Sequence, residues 1–244
     1  MSLIEAMIPP ASAPSELKAT EIQNFFNAIA PRYDLLNSLL SLRLDDYWRA
    51  KSRDLLLEGA GSAILDLGTG TGKFLELFLS RKKWKTAVGL DFSRPMLKQT
   101  SSLEDGRTNS VKIIQGDFHS LPFCSESFDL IVSAFTLRSV RHMVPFLEGV
   151  YRLLKEGGRA GFLCLTRPVN PIAKLFFYPY LKWVLPWLGG LVSGNRDAYL
   201  FLRDSILEFQ APTQTVEIMR RTGFQSVRVY RFSFGIATLL VGRK

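Results

Sequence analysis

Two cysteines and two histidines in 244 residues are too few for a disulfide framework, and with only His119 and His142 no zinc pattern can be written. Cys124 and Cys164 therefore suit a reducing compartment, and the chain reads as cytoplasmic, without a structural metal. Long runs of one charge are missing too. Lys and Arg number 31 against 22 Asp and Glu, yet no basic run exceeds Arg81-Lys82-Lys83, so a formal charge of +9 does not establish RNA or DNA as a partner. Residues 1–15 hold neither a basic leader nor an unbroken apolar core, and read as a flexible tail rather than a signal peptide. Repeats and low-complexity tracts are absent. What remains, 47% hydrophobic and 22% charged, is the composition of a single globular domain over 16–244.

The chain is organised around residues 63–72, AILDLGTGTG. Ala63, Ile64 and Leu65 make a buried parallel strand, which Asp66 closes. Gly68, Gly70 and Gly72 let the backbone turn sharply and admit a ligand close to the main chain; a helix with Phe74, Leu75, Leu77 and Phe78 follows. Strand, glycine turn and helix form a nucleotide-type pocket. Asp66 decides which nucleotide, because a carboxylate there repels a pyrophosphate, and no Lys-Ser or Lys-Thr closes the loop. It suits a ligand with a cationic amino group. Asp91 ends the next apolar run nineteen residues beyond Gly72, where a carboxylate binds both hydroxyls of a ribose. Two carboxylates flanking a glycine turn point to S-adenosylmethionine; the alternative is an ordinary glycine turn with solvated acids.

Helical spacing predicts helices over 16–29, 35–42 and 45–57, a cap (16–60) able to fold over the pocket mouth. Asp34 is placed to N-cap the second of them. Strands are expected at 87–90, 111–115, 128–135 and 159–165, with helices at 93–100 and 143–154. Asp117 follows the third strand, where it either accepts from an adenine amino group while Phe118 packs on the ring, or sits in a polar turn. Arg138 and Arg141 follow the fourth. Four strand ends thus carry Asp66, Asp91, Asp117 and Arg138, at the edge where an open parallel sheet binds its ligand.

The stretch 168–192 is long and greasy enough to raise the question of a membrane span, but Lys174, Lys182, Pro171, Pro179 and Pro186 argue against one. It reads as an apolar lid (168–210), a surface lying in the lipid interface, or a helical insertion packed on the core. Helices at 199–209 and 212–222 and a strand pair at 227–232 and 236–241 complete the chain.

With these residues placed, the sequence resembles the ubiquinone/menaquinone biosynthesis C-methyltransferases from about Phe25 to its end. The likeness is carried by FNAIAPRYD at 26–34 with Asn37 and Trp48, LDLGTGTG at 65–72, LPF at 121–123, FTLR at 135–138 and LKEGGR at 154–159. Asp197-Ala198-Tyr199 with Leu202, Ser205 and Ile206 adds to it. The resemblance implies a class I methyltransferase fold: α/β, Rossmann-like, a doubly wound and mostly parallel seven-stranded sheet. It implies C-methylation of a prenylated quinol, demethylmenaquinol first and the ubiquinone-pathway benzoquinol second. Pattern and resemblance together assign S-adenosylmethionine binding to Asp66, Gly68, Thr69, Gly70, Thr71, Gly72, Asp91, Phe92, Asp117, Phe118 and Ala134. They set Arg138, Tyr33, Tyr199 and Asp34 at the acceptor. Arg138 cannot be the base, since its pKa lies above about 12; it stabilises a developing oxyanion or holds a water. Tyr33 and Tyr199 would orient the acceptor, or are packed aromatics, and Asp34 is the candidate base.

The chain also departs from the family. Lys73 stands where an acid is usual, and 134–139 reads Ala-Phe-Thr-Leu-Arg-Ser in place of Ser-Phe-Gly-x-Arg-Asn. Cys164 and Leu240 replace a frequent Glu and a His. The partners expected are the quinol and, through 168–192, a membrane surface; no nucleic acid is expected, and a homo-oligomer is left open. The rivals are a methyltransferase of another lipid, a small phenol or RNA, and a non-catalytic cofactor-binding partner in a quinone-synthesis complex.

Overall fold

The computed structural model describes residues 27, 30, 33–100, 111–193 and 196–244. The tail at 1–15 and the helix expected over 16–29 lie outside the described residues, apart from Asn27.

Seven strands form one sheet in the order β3-β2-β1-β4-β5-β7-β6. They are β1 (Ala63–Leu67), β2 (Thr86–Asp91), β3 (Val111–Gln115), β4 (Phe128–Ala134), β5 (Leu154–Leu165), β6 (Gln225–Phe232) and β7 (Ala237–Arg243). β1 to β5 pair in parallel, and β7 runs antiparallel to both β5 and β6. β1 is buried at every position, which is why it reads as an unbroken apolar run closed by one acid. β6 is an edge strand with exposed positions, as the sequence suggested for a chain-terminal pair. Strand order reverses between β1 and β4, so the crevice for a ligand opens at their carboxyl ends.

Two boundaries differ from expectation. β4 stops at Ala134, because Phe135 adopts φ +62° and leaves the sheet. β5 begins at Leu154 rather than at 159: Gly157 and Gly158, which read as a helix stop, lie inside the strand, and the register slips between Phe128 and Leu130 to accommodate them.

Helices cover both faces. On one side α2 (Leu44–Leu57) and α3 (Lys73–Leu79) pack Trp48, Leu56, Phe74 and Phe78 onto Ile64, Leu130 and Val132. On the other, α5 (Met143–Leu153) and α9 (Pro212–Arg221) pack Phe146, Leu147, Val150 and Met219 onto Leu65, Ile131 and Phe162. The alternation of Ile64 and Leu65, and of Leu130 and Ile131, between the two cores follows from the two-residue period of a strand. The helix expected over 93–100 is a short α4 (Arg94–Leu97), N-capped by Ser93, followed by a 3-10 turn.

A third cluster stands over the carboxyl ends of the strands. α1 (Tyr33–Leu40) contributes Leu36 and Leu40; the 168–210 segment contributes Leu181, Leu185, Tyr199 and Ile206. That segment is α6 (Pro171–Pro179), a π-helical turn (Tyr180–Val184), α7 (Leu185–Ser193) and α8 (Arg196–Glu208). Asn170 starts α6 by accepting from the N–H groups of Ile172 and Ala173, with Pro171 at the first helical position. Among the described residues no helix is long and apolar enough to cross a membrane.

Candidate functional site

Two cavities meet at the carboxyl edge of the sheet. The first is a cleft of about 440 Å³ at the ends of β1, β2 and β4, lined by Gly68, Gly70, Asp91, Phe92, Phe118 and Ala134 among others. The loop after β1 is tied down by its backbone: Gly68 and Thr69 donate to the Leu90 carbonyl at 2.8 and 3.0 Å, and Ser133 Oγ donates to Leu67 O at 2.6 Å. Gly68 sits at φ +70°, and a Cβ there would fall 2.3 Å from Thr136 Oγ1. Only glycine fits both demands.

Asp91 accepts from Gly70 N–H (2.9 Å) with one oxygen and from Ser93 N–H (2.8 Å) with the other. Each oxygen keeps a lone pair, enough for a pair of vicinal hydroxyls. Burial pushes the Asp91 carboxyl up, against the pull of the N–H groups of Ser93 and Gly70. Asp66 lies beneath the loop rather than on the cleft wall. Its Oδ2 accepts from Thr69 Oγ1 at 2.9 Å, while its Oδ1 is sealed from water without a partner. Burial raises its pKa to about 7, with Thr69 and Arg49 opposing. An orphaned buried carboxylate oxygen is what a cationic amino group satisfies, directly or through one water. A Cβ on Gly70 would meet nothing within 4 Å, leaving room for a ligand against the backbone. The residues present therefore fit a ligand that carries a ribose diol and an ammonium group.

The second cavity is an apolar chamber of about 720 Å³ roofed by α1, α6 and the π turn, with Leu40, Phe177, Leu181, Leu185, Leu202 and Ile206 on its walls. Tyr33 and Phe135 line both cavities and so form the partition between them. Arg138 is the polar group of functional interest on the chamber wall. Part of its side chain is open to the chamber, but Nε is sealed off without a partner; Nη1 donates to Ser205 Oγ at 2.9 Å. Burial draws its pKa down, while Tyr33 and Cys164 oppose the shift. No carboxylate neutralises it among the described residues. Asp45 also lines the chamber but is held by Lys73 Nζ at 3.2 Å, Arg49 Nε at 3.9 Å and Ser41 Oγ at 2.8 Å.

The structure thus brings together Tyr33, Gly68, Gly70, Asp91, Phe92, Phe118 and Ala134 on one cleft, with Arg138 behind the partition. Thr69 sits under the loop as the Asp66 donor, and Gly72 takes φ +83° ahead of α3, with Thr71 between cleft and helix. Three expected residues stand elsewhere. Asp117 is largely exposed, and its carboxylate is engaged by His119 through both N–H (2.9 Å) and Nδ1 (2.8 Å). Tyr199 is buried in the roof against Gly189, where a Cβ would fall 2.3 Å from its ring, and it does not line the chamber. Asp34 lies in the first turn of α1 rather than at its cap, half-buried, on neither cavity. Sequence reasoning missed Tyr180, which lines the chamber and donates to Leu40 O at 2.5 Å, and the Lys73 tether to Asp45 and Asp46 (2.6 Å). A tyrosine inside an apolar run was the available signal for the first; two adjacent aspartates on α2 were the signal for the second.

A profile of the ubiE/COQ5 methyltransferase family matches residues 15–244. A protein of Thermus thermophilus described as demethylmenaquinone methyltransferase is 40% identical over 217 residues, 89% of this chain and 98% of its own length. One of Deinococcus radiodurans with the same description is 37% identical, covering 93% and 94%. A ubiquinone/menaquinone biosynthesis C-methyltransferase of Geotalea uraniireducens is 35% identical, covering 93% and 97%. Among solved structures, a SAM-dependent methyltransferase of Thermotoga maritima superposes with a TM-score of 0.64 at 20% identity, covering 91% of this chain and 99% of that one. The [4+2]-cyclase SpnF does so at 0.64 and 14% identity, over 96% and 98%. These two likenesses establish the fold; a cyclase on the same fold shows that chemistry must be read from the site.

Proposed function

The chain belongs to the ubiE/COQ5 methyltransferase family and is an S-adenosylmethionine-dependent methyltransferase; we propose that its acceptor is a ring carbon of a prenylated quinol, demethylmenaquinol being methylated to menaquinol. The observation that carries this reading is Arg138: a guanidinium with an unpartnered Nε on the wall of an apolar chamber, one partition away from the cofactor cleft. The chamber suits an isoprenoid chain, and the cation suits the oxygen of a ring that must become electron-rich. The names of the Thermus and Deinococcus relatives support the naphthoquinol.

The cofactor, when bound, supplies a methyl group on a positively charged sulfur. Asp91 is set to hold its ribose and Asp66 its amino group, so that the methyl faces the partition formed by Tyr33 and Phe135. Arg138 stabilises the acceptor oxygen as it loses its proton, which raises electron density at the adjacent ring carbon. Asp45 is a poor proton acceptor because Lys73 and Arg49 already share its charge. In this reading the proton leaves through water held at Arg138. The roof helices keep bulk water from the reacting atoms, and the chamber holds the ring in line with the methyl. Tyr180, fixed to the Leu40 carbonyl, shapes the wall. The free thiols Cys124 and Cys164 support a cytoplasmic location as part of the same reading.

The test is transfer of label from methyl-labelled cofactor to demethylmenaquinol, to a demethylated benzoquinol and to RNA, the quinols reduced and in detergent. Label on the naphthoquinol alone supports the proposal. Label on the benzoquinol moves the acceptor to the other branch; label on RNA, or on none while calorimetry still shows cofactor binding, refutes it.

A further inference from the structure

The roof of the chamber has a second face. Along α6, the π turn and α7, the side chains turned inward are Phe177, Leu181, Leu185 and Leu188, spaced four, four and three residues apart. Those turned outward are Ile172, Phe176, Trp183, Trp187 and Leu191, spaced four, seven, four and four, the same helical period on the opposite side. The outward residues are not marginal: Phe176 is 70% exposed, Trp183 56% and Trp187 66%. Soluble surfaces rarely line up large apolar side chains in this way.

A second element adds to the same edge of the molecule. Ser233 and Phe234, at the tip between β6 and β7, both take positive φ (47° and 58°), a conformation that costs a non-glycine residue about 1–2 kcal/mol. The strain presents Phe234 to solvent at 72% exposure, and Trp48 Nε1 holds the tip in place through Ser233 Oγ at 2.9 Å. Strain held in order to expose an aromatic ring has no use within the fold itself.

Between these two elements lies a third cavity, about 590 Å³, lined by Arg167, Arg231, Thr166, Thr213 and Thr238. Val169 and Gly235 complete its rim, so it opens between the start of α6 and the Phe234 tip. Lys174 and Lys182 are on the roof helices, and the whole chain carries a formal charge of +9. Apolar side chains ringed by basic groups are complementary to an anionic bilayer, not to water and not to a basic partner.

We propose that this edge docks on an anionic lipid bilayer: the outward stripe and Phe234 enter the headgroup region, and the cleft of Arg167 and Arg231 receives a lipid phosphate. Arg167 is already positioned by its bond to the Phe209 carbonyl at 3.1 Å, whereas Arg231 is exposed on the edge strand. A bilayer held there lies against the wall of the chamber, so an apolar molecule need not cross water to enter. Vesicle binding is read without turnover, so a failure of the acceptor reading leaves this proposal standing.

The experiment uses the full-length protein with phosphatidylcholine vesicles, with and without phosphatidylglycerol. Co-sedimentation gives the bound fraction; tryptophan emission, to which Trp183 and Trp187 contribute, gives insertion. Binding that requires phosphatidylglycerol, with a blue shift, is expected. Phe176→Glu and Trp187→Glu should each weaken partitioning by about tenfold or more, since each removes one large apolar side chain from the lipid. Arg231→Glu should lose the preference for anionic lipid while methyl transfer in detergent is unchanged. Inorganic phosphate is titrated separately by calorimetry. Indifference of the wild type to vesicles, or variants that bind as the wild type does, would overturn the proposal. So would phosphate binding that depends on Arg231 without vesicle binding, which assigns the cleft to a soluble anion. A dimer abolished by Trp187→Glu in place of vesicle binding would assign the face to a second copy of the chain.

Discussion

Arg138→Met separates stability from turnover, because the same structural fact acts on both in opposite directions. The guanidinium has one side-chain hydrogen bond, to Ser205, and an unpartnered Nε in apolar surroundings. Replacing a poorly compensated buried charge by an apolar side chain of similar volume is often stabilising by about 1–4 kcal/mol. Part of Arg138 faces the open chamber, and Met leaves Ser205 with only its bond to Leu202 O at 2.8 Å, so about 1–2 kcal/mol is expected here. Urea unfolding without ligands should show a higher midpoint at unchanged slope. Removing a donor from a developing oxyanion costs about a hundredfold to a thousandfold in kcat. Labelled methyl transfer should fall by that factor, with cofactor affinity kept, because Arg138 is not on the cleft wall. A variant that is less stable and still turns over would refute both halves of the reasoning. A variant that is less stable and inactive would mean that Arg138 is a structural strut.

Gly68→Ala should lose cofactor affinity and about 2–4 kcal/mol of stability, from positive φ and overlap with Thr136; adding Thr136→Gly should recover the overlap part alone, which unfolding and calorimetry on the double variant will show. Cofactor affinity should weaken as pH falls below about 7, where Asp66 takes up a proton, by up to about tenfold per pH unit. The same group makes the ligand-free protein bind more protons than the unfolded chain, so its contribution to stability declines as pH rises from the ordinary carboxylate range to about 7, and Asp66→Asn should flatten both curves. Asp129 behaves oppositely: burial pushes it up, but hydrogen bonds from Ala63 N–H, Lys155 and Ser62 N–H outweigh that and hold its pKa low. Its stabilisation is present above the ordinary carboxylate pKa and lost as pH falls through the lowered one; Asp129→Ala should cost about 2 kcal/mol at neutral pH and little in acid. A thiol reagent should label Cys124 alone in the native state, since burial pushes the Cys164 thiol up to about 12.

The cofactor cleft was legible because its determinants are local. A parallel strand covered on both faces reads as continuous apolar sequence, and the glycines that follow have one backbone use. The family resemblance extended this to the sheet as a whole, and the strand order agrees. Legibility failed where a distant group competes for a residue. Asp117 occupies the expected strand end, yet His119, two residues on, captures its carboxylate. Gly157 and Gly158 have the composition of a helix stop, and only the pairing of Phe128 with Leu154 makes them a bulge. Lys73 looked like a lost acid; its partners are 28 and 27 residues earlier in the chain, on α2, where no local pattern points. Within the roof, helical spacing told that one face is apolar, but not that both are.

The π turn at 180–184 has a consequence for what the chain can tolerate as it diverges. A π turn holds one residue more than an α turn in the same advance. Deleting that residue would restore regular α-helix and rotate everything after it by about 100°. Leu185 would swing away from the chamber and Trp187 toward the core, so the inner and outer faces would both fall out of phase at once. A length change here is therefore read twice, by two surfaces that never touch each other. Substitutions along the roof can be absorbed one side chain at a time; a single-residue gap cannot. Chains that keep both surfaces should keep the length of this segment even where they keep few of its residues.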